Sequence, residues 1–105
     1  MIKILSFKRD EFDNSKPYCV KVCRPSVLGN PFHIGADGNR DSVCEKYADW
    51  LKSKLQDKNS PERIELIRLY RLYEKYDKLY LFCCCAPERC HADFIKFVLS
   101  GGLRQ

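Results

Sequence analysis

No apolar run in this chain approaches the length that a membrane-spanning helix needs, so a chain that stays in water is expected and a membrane partner is excluded. Met1 to Phe7 (M-I-K-I-L-S-F) is too short and too strand-like for a secretory leader. Internal repeats and low-complexity tracts are missing as well, which argues against a solenoid or a disordered tail. Charge of one sign is also short. The net charge of +5 and pI near 8.8 favour an anionic partner, but Lys and Arg are scattered among Asp and Glu and form no basic block.

Cysteine, by contrast, is plentiful. Seven is an odd number, and with no leader in view it predicts a reducing, cytoplasmic compartment in which the sulfurs are thiols, metal ligands or catalytic groups. The 105 residues suffice for one small domain, residues 1–105, with a modest core.

Periodicity orders the elements. Ile2 to Phe7 and Tyr18 to Cys23 read as strands, separated by a charged turn from Lys8 to Lys16. Ser42 with Glu45 has the form of a capping box, and Val43, Tyr47, Trp50, Leu51 and Leu55 then recur at helical spacing to about Lys58. Ser60-Pro61-Glu62 opens a second helix, whose Ile64, Ile67, Leu66, Leu69, Leu72, Tyr73 and Tyr76 make a broad apolar face, expected to pack on both the sheet and the first helix. Leu79 to Phe82 carries no charge and suits a strand buried on both faces. From Ala92, Phe94, Ile95, Val98 and Leu99 predict a last helix that stops at Gly101-Gly102. The sum is an α/β, Rossmann-like layered domain: a short, mostly parallel sheet with about three helices, since two helices intervene before Leu79.

Two stretches fit neither period. Arg24 to Gly38 (R-P-S-V-L-G-N-P-F-H-I-G-A-D-G) is a long loop, and loops of such length are more often functional than idle. Gly29 is expected to give the backbone a positive φ, and Arg24, Ser26 and Asn30 are candidate donors to a phosphate, a ribose or a base edge. The competing reading has Asn30 pinning the loop to itself while Val27, Leu28 and Phe32 plug the core edge. The second stretch, Cys83 to Asp93 (C-C-C-A-P-E-R-C-H-A-D), leaves the carboxyl end of the buried strand, where ligands bind in open α/β sheets.

Three chemistries compete for that cluster. As a thiolate site, Cys90 near a helix N-terminus is the nucleophile, His91 its proton partner and Asp93 support for His91, with Cys85, Arg89 and Arg24 lining a nucleotide pocket. Cys83 and Arg89 also have the C-x5-R spacing of the cysteine phosphatases' phosphate loop, without that loop's glycine. As a zinc site, Cys83, Cys85, Cys90 and His91 supply suitable donors, but side chains two apart on a straight strand lie roughly 6–7 Å apart, so a bend at Cys84 or Cys85 is required. As plain packing, cysteine fills space like a small hydrophobe, which is the preferred reading of Cys19, Cys23 and Cys44. His33 is a poor ligand candidate. A separate reading places nucleic acid on the second helix, where Tyr70, Tyr73 and Tyr76 interleave with Arg68, Arg71 and Lys75.

R-P-S-V-L-G-N-P-F at Arg24 to Phe32 together with C-x-C-A-P-E-R-C-H-A-D at Cys83 to Asp93 resembles the family called domain of unknown function 4326, small proteins of bacteria and their phages. The resemblance implies a phage-type protein whose two loops share one site, with Arg24, Asn30, Cys83, Cys85, Cys90, His91 and Asp93 at motif positions, and it brings no activity with it. The middle residue of C-x-C, often Trp in the family, is Cys84 here. The expectation is a protein that binds a nucleotide or nucleoside-like anion. Zinc-dependent, nucleic-acid-binding and ligand-sequestering alternatives stay open, and so do turnover and oligomeric state.

Overall fold

The computed structural model describes residues 1–24, 26–83 and 90–102. Strand β3 (Leu79–Cys83) is the middle of a three-stranded sheet, between β1 (Ile2–Ser6) and β2 (Cys19–Lys21). Both pairings are parallel, and Ile4 on one side and Val20 on the other sit opposite Leu81. A central parallel strand has no solvated face, which is why this one is the least polar of the three. Leu79, Leu81 and Cys83 are fully buried in the main core, and the alternate residues Tyr80 and Phe82 are covered by aromatic rings. Phe7 and Phe12 lie 5.3 and 5.0 Å from Phe82, ring centre to ring centre, and Tyr18 lies 5.3 Å from Tyr80. The loop after β1 therefore does the covering work of a helix.

The parallel geometry requires a long return from β2 to β3, and helices α1 (Arg40–Leu55) and α2 (Pro61–Tyr76) make it. The N-cap of α1 lies three residues before the expected Ser42. It is Asn39, whose Oδ1 accepts from the Ser42 N–H at 2.9 Å, so Ser42 is a first-turn residue. Asn is as good a cap as Ser, and Gly38, at φ +130°, turns the chain into it where a Cβ would sit 2.8 Å from Ser42 Cβ. The helix also stops at Leu55, short of the expected Lys58, and buries Val43, Cys44, Tyr47 and Leu51.

Ser60 caps α2 as its sequence predicts. Its Oγ accepts from the Arg63 N–H at 3.2 Å and donates to the Lys54 carbonyl at 2.6 Å, which ties the start of α2 to the end of α1. Helix α2 packs on α1 and on β3, as expected, but the seam is Leu66 and Leu69 with Tyr70, Leu72 and Tyr73 at its margin. Ile64 and Ile67 face solvent at 58% and 41% exposure, so the apolar face is narrower than its composition suggests. Helix α3 (Ala92–Leu99) lays Ala92, Ile95 and Leu99 against β1 and β3. It ends in a Schellman motif: Gly102 N–H to Phe97 O at 2.9 Å and Gly101 N–H to Val98 O at 3.0 Å, with Gly101 at φ +89°. Among the described residues, no helix is long and apolar enough to cross a membrane.

Candidate functional site

The loop after β2 doubles back tightly. Ser26 N–H donates to Cys23 O and Gly29 N–H to Ser26 O, which brings Gly29 against the backbone of Arg24. A Cβ at Gly29 would stand 2.8 Å from Arg24 N and 2.9 Å from Arg24 Cα. The positive φ expected of Gly29 is not what the turn uses. Gly35, Gly38 and Gly101 are the described glycines with positive φ, and Gly29 serves close approach instead.

Arg24 donates from Nη1 to the Asn30 carbonyl at 2.6 Å and, more weakly at 3.5 Å, to the Phe32 carbonyl. Asn30 is buried. Its Oδ1 accepts from the Phe32 N–H at 2.9 Å, and its Nδ2 reaches the Val43 carbonyl of α1 at 3.4 Å. Asn30 therefore pins the loop to itself and to α1, the work the competing reading gave it. Leu28 plugs the core at 1% exposure and Phe32 is half-buried, whereas Val27 projects outward. The Tyr47 hydroxyl donates to Leu28 O at 2.7 Å, and burial pushes its pKa up first of all, so it stays a donor. The hydroxyl of Ser26 is buried and has no hydrogen bond among the described residues.

At the other end of the site, Cys90 and Cys83 meet. Cys90 Sγ donates to Cys83 Sγ at 3.2 Å with both residues buried. That hydrogen bond, followed by burial, raises the Cys90 pKa well above the usual thiol value, so the group is a neutral thiol at neutral pH. Asp93, exposed, accepts from the Cys90 N–H at 3.2 Å, with its carboxylate at the positive end of α3. The ring of His91 is 6% exposed and lies edge-on to Tyr47, centres 5.0 Å apart. Its Nε2 bonds the Val22 carbonyl. A carbonyl only accepts, so Nε2 carries the hydrogen and Nδ1 is the acceptor of the neutral ring. Burial lowers the His91 pKa, Arg24 lowers it further, and the Val22 bond opposes both.

Of the four proposed zinc ligands, Cys83 and Cys90 come together and His91 spends Nε2 on Val22, while Cys85 lies outside the described residues, as does Arg89. Among the described residues, no three His, Cys, Asp or Glu side chains are grouped as a metal would need.

Between the two stretches lies a cavity of about 360 Å³, within the range of small-molecule sites. Arg24, Asn30 and Phe32 line it from the first loop and Cys90 and His91 from the second. It opens beyond the carboxyl ends of β2 and β3, where parallel sheets bind ligands. Cys23 and Cys44, expected as filling, also form part of its wall, as does His33. Sequence reasoning missed Arg40. The missed signal is Asn39: once the cap moves there, Arg40 enters the first turn of α1, beside the long loop. A larger groove of about 600 Å³ beside α2 and α3 includes Tyr70 and Arg71 of the nucleic-acid reading together with Ile67 and Val98, but no residue of the two motif stretches.

The aromatic and basic residues of α2 are largely engaged elsewhere. Tyr73 and Tyr70 pack on the core, the Tyr76 ring lies 5.7 Å from that of Tyr18, and Arg68 makes a two-pronged pair with Glu65 at 2.8 and 2.7 Å.

A family model described as Domain of unknown function (DUF4326) matches residues 5–101. No curated protein and no solved structure gives a significant match.

Proposed function

The chain belongs to the DUF4326 family, and from its site we propose that it binds a nucleotide or nucleoside-like anion in the cavity between its two motif loops. One observation carries this reading: Arg24 and Arg40 share one wall system with the half-buried ring of Phe32 and with Val43, beyond the carboxyl ends of parallel strands. Two guanidiniums favour phosphate, and a flat aromatic and aliphatic wall favours a base. Arg24 uses Nη1 to hold the loop, and its Nε and Nη2 make no hydrogen bond among the described residues, so the same side chain has donors to offer a ligand. The neutral His91 ring adds an acceptor at Nδ1, suited to a ribose hydroxyl or an amino group.

The role we assign is binding. Thiolate attack by Cys90 finds little support in a sulfur that keeps its proton for Cys83. Thermal unfolding of the full chain with nucleosides, nucleoside mono-, di- and triphosphates and inorganic phosphate tests the proposal. At least one nucleoside phosphate is expected to raise Tm, equivalent to about 2.7 kcal/mol at a hundred times Kd. Arg40→Gln should weaken that ligand about tenfold, the loss of one charge-assisted contact. No shift from any nucleoside or nucleotide, or a shift that Arg40→Gln leaves intact, refutes the assignment. Binding only to long nucleic acid with steep salt dependence would favour the α2 surface instead.

A further inference from the structure

We propose that Cys83 and Cys90 form a reversible dithiol–disulfide couple, oxidised by hydrogen peroxide that enters through the cavity. The two sulfurs are 3.2 Å apart, and a disulfide needs about 2.05 Å, so closure asks for a shift of roughly 1.2 Å shared between two side chains. One partner is fixed and the other is placed to move. Cys83 sits in register opposite Ser6, and its carbonyl accepts from the Phe7 N–H at 3.2 Å. Cys90 lies in the turn two residues before α3, held by Asp93 through its own N–H, and the ladder does not constrain it.

Access is asymmetric in the way a stepwise oxidation requires. Cys90 lines the cavity, while Cys83 is fully buried behind it. In the first step Cys90 gives its proton to water in the cavity, which its raised pKa makes the slow event at neutral pH and a faster one as pH rises. The thiolate sulfur takes an oxygen from peroxide: an S–O bond forms, the O–O bond breaks, and the hydroxide released leaves as one water with that proton. In the second step the Cys83 sulfur attacks the Cys90 sulfenic acid: the S–S bond forms, the S–O bond breaks, and the hydroxyl leaves as a second water with the Cys83 proton. Two thiols and one peroxide thus give one disulfide and two waters. A small-molecule dithiol returns both thiols and becomes the disulfide itself. The product ties the end of the central strand covalently to the entry of the last helix. This couple stands whether or not the cavity holds a nucleotide.

Peptide mapping of the peroxide-treated full chain, alkylated before digestion and left unreduced, tests it. The expected result is a Cys83–Cys90 cross-link with the loss of two hydrogens, reversed by dithiothreitol. A Cys84→Ser, Cys85→Ser double variant, which retains the cross-link, assigns the bond within the C-C-C run. In Cys83→Ser the sulfenic acid at Cys90 should persist and be trapped by dimedone. Three outcomes overturn the couple: cross-links to other cysteines only, Cys90 carried on to sulfinic acid with Cys83 still reduced, or neither sulfur oxidised when the half-buried Cys19 reacts. Should Cys83→Ser fail to fold, the map of the unsubstituted protein decides alone.

Discussion

Replacing Gly29 by Ala probes the turn on which the cavity wall depends. The added methyl would meet Arg24 N at 2.8 Å and Arg24 Cα at 2.9 Å. Carbon contacts are comfortable at ~3.5 Å or more, so the two backbone segments must part by roughly 0.6 Å. The Arg24 to Asn30 hydrogen bond, 2.6 Å long, spans the same gap and would stretch toward 3.2 Å. Crowding of this kind costs about 1–3 kcal/mol, and the entropy that Ala removes from the unfolded chain returns about 0.4–1 kcal/mol. We expect a net loss of about 1–2 kcal/mol in urea denaturation, seen as a lower midpoint at unchanged slope. Because the nearest atoms belong to backbone, the loss should persist in an Arg24→Ala background. A change below about 0.5 kcal/mol, or a loss that Arg24→Ala abolishes, refutes the claim that backbone approach is what requires glycine here.

Two further outcomes follow from the same walls. Tyr47→Phe keeps the rings against Trp50 and His91 but orphans the Leu28 carbonyl, so a loss of about 1–2 kcal/mol is expected by denaturation, and no measurable loss would deny the bond its role. The His91 pKa lies below its ordinary 6.5 in the folded protein, chiefly through burial, so above 6.5 the ring is neutral in both states and contributes no pH dependence. As pH falls below 6.5 the unfolded chain takes up the proton first, and stability drops with a slope of up to about 1.4 kcal/mol per pH unit until the folded ring also titrates. An NMR titration that places His91 at or above 6.5 would contradict this.

The identity and order of the elements were legible in the sequence alone, because they rest on forces between near neighbours along the chain. Ser60-Pro61 announces a helix start, the uncharged run at Leu79 announces a buried strand, and Gly101-Gly102 announces a stop. Parallel pairing also followed, since two helices cannot separate hairpin partners. That the loop after β2 and the turn before α3 share one site was what the resemblance of their two motifs implied, and residues of both line one cavity.

Tertiary structure decided which atoms meet. Asn39 displaced Ser42 as the cap because Gly38 delivers it to the helix end, and only then does Arg40 reach the cavity. Ile64 and Ile67 share a helical period with buried neighbours, yet where α1 and the sheet lie relative to α2 leaves them in water. Cys83 finds Cys90, and His91 finds the Val22 carbonyl 69 residues away, because strand register and helix placement bring them within reach. Local patterns specify an element's type through its own period. The partner of a side chain depends on distances between elements, and these exist only once the sheet has assembled.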